Sequence, residues 1–318
     1  LKLVPHVLAG ETRSIARAMT WIENERDGKE ALIDEIFPHC GRAVVWGITG
    51  PPGAGKSTLT DQLITRERRR GHRVGVIAVD PSSPFSGGAI LGDRLRMQQH
   101  ATDDGVFIRS MASRGHLGGV AGATGDAIKV LDAAGFDTII LETIGVGQTE
   151  IDVMELADIV LLVMVPGLGD EIQALKAGVM EIGDVFVVNK ADRDGAEKVA
   201  SEIGYVLDMK YVEHPSDRNP ISLVSALKNE GVDKLMDTLD SYLSKTEASG
   251  ALSGKRRARI ESEIRRIAAR KVEETVYRQL DFEGQVEAWV DGLFSREKSP
   301  YTLMHQQLYP LLKELESR

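Results

Sequence analysis

Residues 50–57 read Gly50-Pro51-Pro52-Gly53-Ala54-Gly55-Lys56-Ser57, which satisfies the pattern G-x-x-x-x-G-K-[ST]. Each part of the pattern has a chemical reason. Glycines allow the backbone to turn so that successive N–H groups point inward at anionic oxygens. A helix opening near Lys56 adds its positive dipole end. The Lys56 ammonium is placed to reach the β- and γ-phosphates of a nucleotide, and the Ser57 hydroxyl to bind Mg²⁺, with Thr58 beside it on the same turn.

A second motif, Asn189-Lys190-Ala191-Asp192, follows the apolar run DVFVVN. A carboxylate at Asp192 can accept from both N1–H and the 2-amino group of guanine. Adenine has neither donor at those positions, so it would leave Asp192 unpaired. Sites built on hydrogen bonds reject the analogue that lacks them by large factors. Asn189 braces the loop and the base edge in this reading, and the stem of Lys190 covers the base. Ser225-Ala226-Leu227, after the next apolar run, can offer a backbone N–H to guanine O6. The expected nucleotide is GTP or GDP.

These loops need elements to hold them. Short continuous apolar runs recur: AVVWGI (43–48), VGVIAVD (74–80), TIILE (138–142), DIVLLVMV (158–165), DVFVVN (184–189) and ISLVSA (221–226). Runs without alternation suit strands covered on both faces. Helical patterning lies between them, as at 57–70 and 122–134, so the expected fold is α/β with a parallel sheet and right-handed crossovers. The block spans 41–247. Residues 1–40 read as helical, with Leu8, Ile15, Met19 and Ile22 on one face and a second helix near Ala31–Phe37 ended by Pro38. The tail, 248–318, opens with SGALSGK, read as a linker or hinge. Ile260, Ile264, Ile267, Val272, Val276 and Leu280 then recur at helical spacing, and a last helix is expected from Pro300 to Leu315.

The chain has 318 residues, 39 basic and 48 acidic side chains and a net charge of −9. It is 42% apolar and 27% charged, an ordinary globular composition. A single cysteine, Cys40, excludes a disulfide framework and a multi-cysteine metal centre. The longest apolar run, Ile159–Val165, is far short of a membrane span, and residues 1–14 lack the apolar stretch of a secretory leader. The acidic balance argues against general nucleic-acid coating. A cytoplasmic protein without nucleic-acid or membrane partners is expected. The average hides one contrast: from Lys255 to Arg278 there are nine basic and four acidic residues, and their Ile/Val seam fits a dimer interface with the charges as its rim.

Together the phosphate loop, NKAD and Ser225-Ala226-Leu227 resemble the P-loop GTPases. VDPSSPFSGGAILGDRLRM (79–97), SRGHLGGV (113–120), ETIGVGQTE (142–150) and PGLGDEIQALKAG (166–178) narrow the resemblance to the MeaB/ArgK family. These are G-protein chaperones of adenosylcobalamin-dependent acyl-CoA mutases such as methylmalonyl-CoA mutase. The resemblance runs through the whole G block. It implies a SIMIBI-like G domain with an N-terminal helical extension (1–40) and a C-terminal helical dimerisation arm (248–318). It also implies a homodimer, and a mutase partner that carries the cobalamin, since nothing in this chain suggests that it binds cobalamin itself.

Three acids could approach the Mg²⁺ site: Asp80 and Glu142 at strand ends and Asp93 in a loop. The resemblance makes Glu142–Gly145 the second switch, with the Gly145 N–H on the γ-phosphate. Asp80, Asp93 and Glu142 then hold the metal directly or through water, and Lys56, Asp93, Glu142 and Gly145 form the catalytic set. Val146 stands where Ras-like enzymes carry a water-orienting glutamine, and Gln148 lies further on. Slow hydrolysis that a partner accelerates is therefore expected. The resemblance makes the loop with Asp170 and Glu171 an additional switch. Lys176 is either a nucleotide- or partner-facing group or a solvated helix lysine. The loop holding His116 is a switch or a partner surface, and His116 itself suits structure or an interface better than a metal. Three other readings stay open: a nickel-delivering metallochaperone GTPase, which would need a soft-ligand cluster, a transport-associated kinase or ATPase, and a nucleic-acid or membrane binder using the basic tail helix.

Overall fold

The computed structural model describes residues 1–80, 100, 102–112, 119–143, 152–167, 180–294, 296 and 298–316. They form two compact units, Leu1–Arg259 and Ile260–Arg318.

The first unit opens with three helices, α1 (Val4–Leu8), α2 (Thr12–Glu23) and α3 (Lys29–Ile36). In chain order there follow β1 (Val44–Thr49), α4 (Lys56–Arg69), β2 (Val74–Asp80), β3 (Val106–Ala112), α5 (Gly119–Ala133), β4 (Thr138–Thr143), β5 (Ile159–Met164), β6 (Val185–Val188), α6 (Ala196–Lys210), β7 (Ile221–Leu223) and α7 (Val232–Ala248). Seven strands make one sheet in the order β3-β2-β4-β1-β5-β6-β7, and every neighbouring pair is parallel. Residues of β4, β5 and β6 are buried on both faces, as continuous apolar runs require. Alternation still sorts the core. Val45, Ile77, Ile139 and Leu141 face α1–α3 and α5, while Ile48, Val76 and Ile140 face α4 and α7.

Two local readings are corrected by this arrangement. Leu8 does not continue the face of Ile15, Met19 and Ile22, because Gly10 at φ 75° separates α1 from α2. Strand β3 has no counterpart among the apolar runs, because Arg109 interrupts it. Its guanidinium binds Glu23 and Thr20 of α2, so the N-terminal helices close the sheet edge and share its core.

The bases of the strands are tied by aspartates. Asp137, Asp158 and Asp184 each precede a strand, and each accepts the backbone N–H at the start of the neighbouring strand. The donors are Arg73 at 2.7 Å, Val45 at 3.0 Å and Val160 at 2.8 Å. Helix α8 (Ala251–Gln279) begins at Ala251, so most of the segment read as a Ser/Gly linker is helical. Buried Leu252 and the ion pairs of the next turns outweigh the roughly 1 kcal/mol helix cost of Gly254. Lys255 reaches Asp184 at 2.8 Å, while Arg256 and Arg259 reach Asp158 at 2.7 and 3.0 Å.

Asp158 is 1% exposed. Burial pushes its carboxyl up, but the hydrogen bond and charge of Arg256 and the charge of Arg259 more than offset this and hold it below the usual carboxylate range. Asp158→Asn is expected to destabilise the chain by about 2 kcal/mol. That is less than the ~3–5 kcal/mol of a fully buried pair, because the arginines are partly exposed. A carboxyl whose folded pKa is depressed stabilises above its unfolded value and loses that contribution as pH falls through the folded value. The gap between wild type and variant should thus be flat above pH ~5 and close below pH ~4. Urea melts at several pH values check it.

The second unit holds the rest of α8 together with α9 (Phe282–Phe294) and α10 (Pro300–Glu316). Phe282 stacks on Tyr277 at 4.5 Å and meets Trp289 edge-on at 5.5 Å. Ile260, Ile264 and Ile267 remain 42–62% exposed along one side of α8.

Candidate nucleotide site

In open α/β sheets, ligands bind beyond the carboxyl ends of the strands. Here those ends gather the loop after β1, the last residues of β2 and β4, and the loops after β6 and β7. The loop from Gly50 to Gly55 joins central β1 to α4. Gly50 has φ 141°, and a Cβ there would lie 2.1 Å from the Val163 carbonyl oxygen. Any side chain would therefore push the loop off β5. Pro51 and Ala54 are buried, while Pro52, Gly53 and Thr58 are exposed. Lys56 is 7% exposed, and its ammonium curls back to donate to Gly50 O at 2.6 Å and Pro51 O at 3.1 Å. It thus sits inside the loop that would receive phosphate.

Glu142, at the end of β4, is 4% exposed. Its carboxylate accepts from Ser57 Oγ at 2.5 Å and from Thr60 Oγ1 at 3.0 Å. A hydroxyl and a carboxylate in contact beside the phosphate loop are hard oxygen donors, which suits Mg²⁺. Asp80 ends β2, next to β4 in the sheet, where Val79 pairs with Thr143. Asp93, His116, Gly145, Gln148, Asp170, Glu171 and Lys176 lie outside the described residues. Among those described, no three His, Cys, Asp or Glu side chains cluster as a metal site. Cys40 donates to Ile36 O and Lys129 O, and burial pushes its thiol up to about 12, so it is a poor soft ligand.

The residues expected to read the base converge. Asn189 is 2% exposed and bridges two loops. Its Nδ2 donates to Ala54 O at 2.8 Å, and its Oδ1 accepts from Ala226 N at 3.1 Å and Lys190 N at 2.8 Å. Lys190 has φ 56° and lays its stem across to Gly53 O, 2.7 Å from Nζ. Asp192 accepts from Ser225 Oγ at 2.7 Å and pairs with Lys228 at 3.2 Å. The Ser225 hydrogen bond, then Lys228, holds its carboxyl below the usual range, so near neutral pH it is an acceptor without a proton to donate. Leu227 is 88% exposed at the tip of the same hairpin, which the Ser225–Glu230 backbone pair closes.

Thr60 and Lys228 were not legible as site residues. Thr60 lies three residues after Ser57, and that helical spacing places both on one face, a usable signal. Lys228 carries no comparable mark, since only the hairpin brings it back onto Asp192.

This sheet and phosphate loop define a P-loop nucleotide-binding protein of the GTPase type. Residues 15–281 match the family "Methylmalonyl Co-A mutase-associated GTPase MeaB", and the chain belongs to that family. A relative from Pyrococcus abyssi, named as a GTPase, is 48% identical, with 95% of this chain and 93% of that one covered. The mouse protein named methylmalonic aciduria type A homolog, mitochondrial, is 34% identical, with 80% and 66% covered. The crystal structure of an LAO/AO transport system kinase superposes with a TM-score of 0.70 at 26% identity, covering 98% of this chain and 97% of that one. Among the described residues, no helix is long and apolar enough to cross a membrane.

Proposed function

We propose that this GTPase is a nucleotide-driven chaperone of an adenosylcobalamin-dependent acyl-CoA mutase of the methylmalonyl-CoA mutase type, acting in the cytoplasm. The observation that carries the reading is the match of residues 15–281 to a family named for association with that mutase. The geometry supports the nucleotide half. Asn189 ties the phosphate loop to the hairpin that would read the base, so phosphate and base are sensed by one connected unit. Lys56 binds the β- and γ-phosphates, and Asp192 reads guanine together with the Ala226 N–H, which would share its donor between Asn189 Oδ1 and the base as a three-centre bond, with Lys190 and Leu227 on its faces. Ser57 and Glu142, with Asp80 and Asp93, would hold Mg²⁺, which when bound neutralises phosphate charge. Gly145 contacts the γ-phosphate, and the loops with His116, Gln148, Asp170, Glu171 and Lys176 respond to it and to the partner. Switch loops ordered by the γ-phosphate and released on hydrolysis bias the mutase between states that admit or discharge its cobalamin, which this chain does not itself bind.

With Val146 at the position of the water-orienting glutamine, hydrolysis is slow alone and accelerated by the mutase. The exposed isoleucines of α8 supply the seam on which a second copy would dock. The test is affinity capture from the native host on the full chain, loaded with a non-hydrolysable GTP analogue or with GDP. The GTPase rate is then measured with the captured mutase. Capture of a cobalamin mutase whose addition speeds hydrolysis is the expected result. Failure to capture one in either nucleotide state, or fast turnover by the isolated chain, would overturn the reading.

A further inference from the structure

Helix α4 joins the two halves of the site. Its first turn carries Lys56 and Ser57, and nine residues past Ser57, about 13 Å along the axis, it carries Arg66. This arginine is 6% exposed, and each of its three guanidinium nitrogens makes a hydrogen bond. Nη1 donates to Gln62 Oε1 at 2.6 Å, Nε to Asp233 Oδ1 at 3.0 Å, and Nη2 to Asn229 Oδ1. Asn229 closes the turn that begins at Ala226, between the paired residues Ser225 and Glu230. It sits at φ 60°, a conformation Asn tolerates. Backbone bonds between Ser225 and Glu230, at 3.0 and 3.1 Å, lock the two arms. The hairpin is thus held from the front by Asn189 and from behind by Arg66.

We propose that Arg66 is a positioning residue for guanine selectivity. It fixes the hairpin relative to the phosphate loop so that the Ala226 N–H and the Ser225- and Lys228-held carboxylate of Asp192 meet the base together. Arg66 makes this link through a planar fork that a lysine cannot reproduce. Asn229 is exposed and Asp233 is 83% exposed. Water can therefore satisfy both acceptors if the fork is lost, and the consequence falls on the placement of the hairpin rather than on the core. The proposal rests on the assignment of Asp192 and Ala226 as the base reader.

The test measures, on the full chain, affinities for GDP, IDP, ADP and inorganic tripolyphosphate. IDP lacks the 2-amino group and tripolyphosphate lacks the base. Arg66→Met is expected to weaken GDP about tenfold, the scale of one charge-assisted hydrogen bond. It should narrow the preference for GDP over IDP and leave tripolyphosphate unchanged. Asn229→Gly, which keeps the left-handed backbone but removes the acceptor, should behave alike and carries the test if the Arg66 variant does not fold. Asn229→Asp, which retains the acceptor, should stay near wild type. Unaltered GDP affinity, or an equal loss for GDP and tripolyphosphate, would overturn the positioning role. A wild type that binds ADP as well as GDP would instead remove the base-reader assignment, and the proposal with it.

Discussion

Replacing Lys56 by methionine is expected to lower GTP affinity by roughly a thousandfold, the largest effect of any single change in the site. The methionine keeps the stem and loses the ammonium. In the structure that ammonium rests on Gly50 O and Pro51 O, 7% exposed, within the loop. In the proposed mode it would turn to the β- and γ-oxygens of an arriving triphosphate and exchange neutral carbonyl partners for charged ones. Hydrogen bonds to ionised groups contribute about 1.5–3 kcal/mol each. Loss of two is about 3–6 kcal/mol, or roughly 10²–10⁴ in affinity. The defect should scale with phosphate: severe for GTP, smaller for GDP, and absent for guanosine, whose proposed contacts are to Asp192 and Ala226. Calorimetric titration of the three ligands checks this. A guanosine defect as large as that for GTP would mean that the loop had collapsed, and a GTP loss below tenfold would remove Lys56 from the phosphates.

The second large effect is a change of base. Asp192→Asn is expected to weaken GDP by a hundredfold or more while xanthosine diphosphate becomes the preferred ligand. In the proposed mode the carboxylate would accept from both guanine donors, and the Ser225 and Lys228 contacts keep it ionised. An asparagine presents one acceptor and one donor, so its NH₂ opposes the 2-amino group of guanine, and an unpaired buried donor costs about 1–3 kcal/mol on each side. Xanthine carries a 2-oxo group that accepts from the new NH₂. Sites of this kind discriminate by factors of 10⁴ or more when both partners match. Because its pKa is depressed, Asp192 should support guanine selection undiminished as pH falls from 8 to 5. Competition of GDP, XDP and ADP against a fluorescent nucleotide reads the result. An equal loss for all three would show that Asp192 shapes the loop without reading the base.

The phosphate loop and the Asn189–Asp192 motif were legible because their chemistry is local. A glycine pattern sets the turn, consecutive N–H groups point into it, and the helix follows at once. The buried strands were legible because complete burial needs uninterrupted apolar residues, as in β4 through β6. Strand β3 was not, because Arg109 sits in it, and an arginine there is acceptable only when Glu23 arrives from a helix 86 residues earlier. The tail was read as a hinge followed by a helix. Yet Lys255, Arg256 and Arg259 look like rim charges until Asp158 and Asp184 are placed beneath them.

The division follows the reach of the interactions. Side-chain type and spacing along the chain were enough to give the parallel sheet and to point to the ligand chemistry proposed for it, a phosphate cradle and a purine-reading carboxylate. Tertiary structure alone decided how those parts are held in register. Asn189 reaches across to Ala54 and Ala226, Glu142 gathers Ser57 and Thr60, and Arg66 grips Asn229 from 163 residues away. Such pairs follow no periodicity, because the sheet brings them together and their sequence separation does not constrain them.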